Sequence, residues 1–183
     1  MRVKLAIYAD DPLFPSERAE QFVKDIDEIN DVKGVDDGPN SLVDQIAEAN
    51  DASTLRGNAF EARVAADQDV TAIDEIGRVP KYADGRPITD IDVHMKNGDI
   101  IEAKNSMRGK GDDLADKLKR FETAHTKGEI DINGRKITFT SSDGVTAADK
   151  AKVKGAIDEI IDNPNNGIEE LDVEYEIIDP VEK

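Results

Sequence analysis

The sequence predicts an α/β protein of the mixed α+β kind, with a helix, three strands, a helix and a strand in succession, two helices before them and a helix and strand after. Three observations predict it. Two alternating segments, Thr89 to Met95 and Ile100 to Lys104, flank Asn97-Gly98, the strongest short hairpin signal. Apolar residues recur at helical spacing in several polar stretches, for example Leu114, Leu118 and Phe121. Lys136-Ile137-Thr138-Phe139-Thr140 is a short β-branched run closed by the turn residues Ser142-Asp143-Gly144.

Pro15-Ser16 opens an amphipathic helix carrying Ala19, Phe22, Val23, Ile26 and Ile29, and Ser41 to Ala49 is a second, shorter one. These accessory helices occupy residues 1–54 and either pack on the main domain, 55–183, or form an appended module. A helix bearing Glu61 follows, in Arg56 to Val64, then a β-rich stretch from Val70 to Val79 and a turn at Asp84-Gly85. After the hairpin come a helix from Asp112 to Lys127 and the Lys136 strand. Thr146 to Asp162 reads as a helix with an apolar stripe of Val153, Ile157, Ile160 and Ile161, and Leu171, Val173, Tyr175 and Ile177 alternate as a final strand at a sheet edge.

The hairpin register decides what its polar residues can do, because slipping a strand by one residue moves every side chain to the other face. Odd positions are apolar (Ile91, Val93, Met95, Ile101, Ala103) and even ones polar (Asp90, Asp92, His94, Glu102, Lys104), the pattern of two half-buried strands. A two-residue turn would set Asp92 behind the sheet from Glu102. A three-residue loop with Gly98 left-handed pairs Met95 with Asp99 and keeps the apolar set together, so this is the predicted form. It places Asp92, Glu102 and Lys104 on one face with side-chain origins roughly 5 to 8 Å apart.

Net charge is −17, with 26 Asp against 15 Glu. An acidic surface of this kind suits a high-salt cytoplasm, pointing to a halophilic source, and is also what a nucleic-acid mimic would present. The distribution matters more than the sum for a polyanionic partner. Residues 1–55 and 157–183 carry the excess acid, whereas Lys104 to Lys127 holds seven bases and four acids, directly after the Glu102 strand. There is no cysteine, which excludes thiol chemistry and cysteine-ligated zinc. No apolar run approaches a membrane span and no signal peptide is visible in Arg2 to Tyr8. Gly-Lys-Ser/Thr phosphate loops, Gly-x-Gly-x-x-Gly, His-Glu-x-x-His and serine-elbow motifs are also missing.

Asp92 with Glu102-Ala103-Lys104 resembles the signature of the PD-(D/E)XK nuclease superfamily, although Ile91 stands where the eponymous proline would be and Asp90 is a rival for the first acid. Glu61 resembles the additional helical acid that many members place before the first core strand. An acid-x-lysine triplet arises by chance on the order of three times in such a composition. The second copy, Asp31-Val32-Lys33, sits beside Gly34 and the Asp36-Asp37-Gly38-Pro39 turn and reads as a loop. The element order carries the resemblance, which spans roughly 55–144 and implies a restriction-endonuclease-like αβββαβ core with a mixed central sheet.

What the resemblance implies is a Mg²⁺-dependent endonuclease, with Mn²⁺ as the alternative ion. Asp92, Glu102 and the Ala103 carbonyl would hold the metal, Lys104 would orient or deprotonate the attacking water, and Glu61 would bind a second ion or its water. His94 shares the polar face as a further candidate, and Arg108, Lys110, Lys117 and Arg120 are candidates for phosphate contact. His125, near a helix end, complements the helix dipole. The expected partner is nucleic acid, DNA ahead of RNA, since few aromatics are available for stacking on single-stranded bases. The superfamily also contains junction resolvases, which implies a homodimer, and secreted or delivered toxin domains acting on RNA such as transfer RNA, which implies a cognate immunity protein. A non-catalytic acidic binding module on the same fold is the non-enzymatic reading.

Overall fold

The structure, a computed structural model, describes residues 16–36, 41–48 and 52–178. Helices α1 (Ser16–Ile29), α2 (Leu42–Ala47) and α3 (Ala52–Ala66) precede strands β1 (Ile73–Arg78), β2 (Ile91–Met95) and β3 (Ile100–Lys104). Helix α4 (Gly111–Thr126), strand β4 (Lys136–Ser141), helix α5 (Ala147–Ile161) and strand β5 (Asp172–Ile177) complete the chain order. Pro15, the Asp37-Gly38-Pro39 turn, Ala49, the Arg2-to-Tyr8 segment and the side chains of Ala19 and Phe22 lie outside the described residues.

The five strands form one mixed sheet in the order β1-β2-β3-β4-β5. Strands β1, β2 and β3 are antiparallel, while β3-β4 and β4-β5 are parallel. Parallel neighbours need a long crossover. Helices α4 and α5 supply it, so the expected helix-strand alternation after the hairpin is what turns the sheet mixed. Strand β5 is at the edge, as its alternation suggested. The β-rich stretch before it is in part a 3₁₀ turn, Val70–Ala72, with Asp69 accepting from the Thr71 N–H, and only then β1.

The hairpin adopts the three-residue loop. Val93 lies opposite Ile101 and His94 opposite Ile100. Met95 N donates to Asp99 O at 2.9 Å, Gly98 N to Met95 O at 2.9 Å, and Gly98 takes φ +93. One expectation fails: the strands are not half-buried. Asp92 and Glu102 on the polar face are as buried as Val93 and Ala103 on the apolar one. The reason is that both faces of the sheet are covered, the condition of a sheet with parallel crossovers.

One layer joins Ile26, Ile29, Leu42 and Ile46 to Phe60, Val64, Ile76, Val93 and Ile101, so the accessory helices share the core of the sheet. The other joins Leu114, Leu118 and Phe121 of α4 and Val153 and Ile160 of α5 to Ile100, Ile137 and Phe139. Within α5, Ala156 replaces Ile161 on the buried stripe, and Ile161 is exposed because it falls one position past the inward face. Among the described residues no helix is long and apolar enough to cross a membrane.

The turn after α1 contains Asp31-Val32-Lys33 and is loop, as expected. It covers the outer edge of β1: Ile76 N donates to Lys33 O at 2.9 Å, and Lys33 pairs with Glu75 at 3.0 Å. Gly34 has φ +91, and a Cβ there would lie 1.9 Å from the Ile76 carbonyl oxygen. Gly34→Ala should therefore lose on the order of 3 kcal/mol of stability, combining a left-handed backbone with a backbone clash, against roughly 1 kcal/mol for Gly98→Ala, whose new methyl meets only the Arg135 side chain. Urea unfolding of the two variants checks the ranking.

Candidate functional site

Strands β2 and β3 stay paired as far as Val93 and Ile101. One step further, Asp92 Oδ2 accepts the Ala103 N–H at 2.7 Å, so a carboxylate takes part in joining the strands. That bond ties the first acid to the residue whose carbonyl is a candidate ligand. Two residues of the same strand then flank it. Glu102 is fully buried, and Lys104 reaches back so that its Nζ lies 3.2 Å from Asp92 Oδ2 and 3.4 Å from Glu102 Oε2. The three predicted residues therefore converge, and the register is what brings them together.

Helix α4 adds a group that the sequence reading had assigned elsewhere. Lys117, a candidate for phosphate contact, is 6% exposed. Its Nζ sits 2.7 Å from Asp90 Oδ1, 2.9 Å from Glu102 Oε2 and 5.5 Å from the Phe121 ring centroid. The spacing explains the correction: Leu114, Lys117, Leu118 and Phe121 follow i, i+3, i+4, i+7, so Lys117 lies on the apolar stripe. A lysine on such a stripe is the signal that could have placed it in the site. Asp90 sits at the rim, its carboxyl held below the ordinary range: burial works against this, and the Lys117 ammonium outweighs it.

Glu61, part-buried on α3, belongs to the same electrostatic group. Burial, then the charge on Asp92, push its carboxyl up to about 8, with Glu102 and Asp90 adding and Lys104 opposing. Glu102 is likewise pushed up to about 8 by burial and by Asp92, against Lys117 and Lys104. Burial would lower the Lys104 ammonium, but Asp92 and Glu102 overcome it and hold its proton more tightly than usual. Lys104 is thus fitted to be a cation rather than a base.

Fully ionised, four carboxylates would face two ammonium groups, an excess of two negative charges that Glu61 and Glu102 relieve by holding their protons. Glu102 Oε1 is buried without a partner, while Oε2 is met by the Lys117 ammonium at 2.9 Å and the Lys104 ammonium at 3.4 Å. An unsatisfied buried carboxylate is costly, and a cation would relieve it. Among the described residues no three acid or imidazole side chains form a ready-made ion cage. Magnesium does not require one, since it is typically held by one or two carboxylates with water and substrate oxygens completing the shell. Asp92 and Glu102 thus fit a hard divalent cation.

The other candidates stand apart. His94 Nδ1 is 3.1 Å from Asp74 Oδ2 and 3.1 Å from Arg78, engaged across β1 and β2, and burial lowers its proton affinity. Its position toward the hairpin tip explains the separation. His125 sits in the last turn of α4 and contacts Asp131 at 3.3 Å. Arg108, Lys110 and Arg120 are exposed. The loop carrying the first two is pinned from below: Met107 N donates to Asp143 Oδ1, and Gly109 N and Gly111 N donate to Asp149, each at 2.9 Å. Sequence reasoning missed Asn58, one helical turn before Glu61, whose buried Nδ2 has no partner, and Asn105, which follows Lys104 and approaches Gly57 of α3. A polar side chain one turn from an acid on a helix is a weak signal.

No protein-family model matches the chain, and neither a curated protein nor a solved structure shows significant similarity to it.

The raised carboxyls have a direct consequence for stability. Between their ordinary value of 4.5 and about 8, native Glu102 and Glu61 retain protons that the unfolded chain has released. Their contribution is fully present below 4.5 and is lost as pH rises through about 8. Metal-free protein should therefore unfold more easily at about pH 8 than at about pH 5, by on the order of 4 kcal/mol, and Glu102→Gln should flatten the slope. Thermal unfolding in a chelator measures both.

Proposed function

We propose that this chain is a metal-dependent nuclease that hydrolyses nucleic-acid phosphodiester bonds, DNA ahead of RNA, on a restriction-endonuclease-like core of the PD-(D/E)XK kind. The observation that carries the reading is the Glu102 carboxyl, fully buried, with no partner at Oε1, two ammonium groups at Oε2 and Asp92 beside it. A structural ion pair in a sheet would have both oxygens hydrogen-bonded. A ligand for a hard cation would leave one open.

The residues divide the chemistry. Asp92 and Glu102 would hold Mg²⁺, which when bound neutralises the scissile phosphate and acidifies water. Lys104 Nζ, kept protonated by the acids beside it, orients the attacking water and offsets charge that builds on the phosphate oxygens. Glu61, electrostatically linked to Asp92 and Glu102, would bind a second ion or its water. Arg108 and Lys110, exposed on a loop held by Asp143 and Asp149, would contact the phosphate backbone. The acidic remainder of the surface favours operation at high salt, where non-specific affinity is screened.

Plasmid, branched DNA and total RNA, each incubated with Mg²⁺ or Mn²⁺ at low and multimolar salt, test the reading. Cleavage of at least one substrate is expected, reduced about 100-fold or more in Glu102→Ala, Asp92→Asn and Lys104→Ala and abolished by chelation. Wild type and variants that are equally inert or equally active would overturn it.

A further inference from the structure

We propose that Lys117 is the resident counter-charge of the site: its ammonium occupies the place of a divalent cation at Glu102 and gives way to one by shifting onto Asp90. The inference rests on the metal-dependent reading above and concerns how the cation is admitted. The two lysines around Glu102 are not equivalent. Lys104 has 38% of its side chain exposed and can face a substrate, whereas the Lys117 side chain is 8% exposed. Lys117 approaches from helix α4, its ammonium near the Phe121 ring, and cannot reach a phosphate outside the site. What it does reach is the oxygen a metal would need, Glu102 Oε2, at 2.9 Å.

Displacement is open to it because a second anion is already in contact. Asp90 Oδ1 accepts a hydrogen bond from Nζ at 2.7 Å, and the Asp90 side chain is 61% exposed. A flexible four-carbon stem with three donors can move from one carboxylate to the other without becoming an unpaired buried charge. Glu102 Oε1, by contrast, has no partner and keeps open lone pairs. The ammonium therefore stabilises the acids electrostatically in the free protein without saturating them. A cation entering next to a positive charge binds weakly, and a phosphate arriving with it restores the balance, so cation and nucleic acid load together.

Mn²⁺ binding to the folded protein without nucleic acid tests this, measured by titration calorimetry and by the loss of the free-ion electron-spin signal. Lys117→Met keeps the apolar stem against Phe121 and removes the charge; it should bind Mn²⁺ more tightly than wild type by about tenfold or more. Lys117→Gln, the second uncharged variant, should move in the same direction, Lys117→Arg should stay within about threefold of wild type, and Glu102→Gln should not bind. The half-saturating Mn²⁺ concentration for cleavage should fall in Lys117→Met. Equal or weaker Mn²⁺ affinity in both uncharged variants, with native circular dichroism, overturns the proposal, as does an absence of Mn²⁺ binding in all proteins. Tighter binding without cleavage of any substrate would sink the nuclease reading alone; Glu102-dependent cleavage with unchanged Mn²⁺ affinity in the Lys117 variants would sink this inference alone.

Discussion

The burial of one carboxylate organises this molecule. Glu102 sits in the middle strand of a five-stranded sheet with no exposed surface, and its Oε1 finds no hydrogen bond. A lone charge in that position would cost several kcal/mol. The surroundings answer with two ammonium groups from different elements, Lys104 from its own strand and Lys117 from the helix that covers it. Because both lysines must arrive within about 3.5 Å, the hairpin register and the seating of α4 are constrained by the same charge.

The rest of the fold serves that arrangement. Antiparallel β1 to β3 carry the acids, and the two crossovers that make β4 and β5 parallel place α4 and α5 on one face. The loop between β3 and α4 contains Gly109 and leads into Gly111, the first residue of the helix. Asp143 and Asp149 hold it by its backbone N–H groups. The Thr146 hydroxyl, then the Gly109 N–H, keep the Asp149 carboxyl well below its ordinary range, as expected of an anion that caps several donors. An acid-rich chain thus uses some of its acids as structural acceptors.

Much of this was legible. The Asn-Gly turn and the parity of the apolar positions predicted the three-residue loop, because only that register keeps the apolar residues on one side. From it followed the convergence of Asp92, Glu102 and Lys104. The span of α5 was readable, and in the structure Thr146 caps it by accepting the Asp149 N–H, local chemistry between residues three apart. Lys117 was misread for an instructive reason: charge was counted along the sequence, where it joins a basic zone, and not around the helix, where it shares a stripe with Leu114, Leu118 and Phe121. His94 shared the parity of the site acids but not their position along the strand, and it paired with Asp74 and Arg78 instead.

By itself the sequence determined which elements form, the register of the hairpin and the face on which its acids lie, since period, turn chemistry and parity are properties of neighbouring residues. Tertiary structure alone decided that this face is buried, that the first two helices share the core, that Lys117 meets Asp90 and Glu102, and that Glu61 feels Asp92. Those outcomes depend on which surface each helix covers and on how much water remains between distant charges, and neither quantity is written in any local pattern.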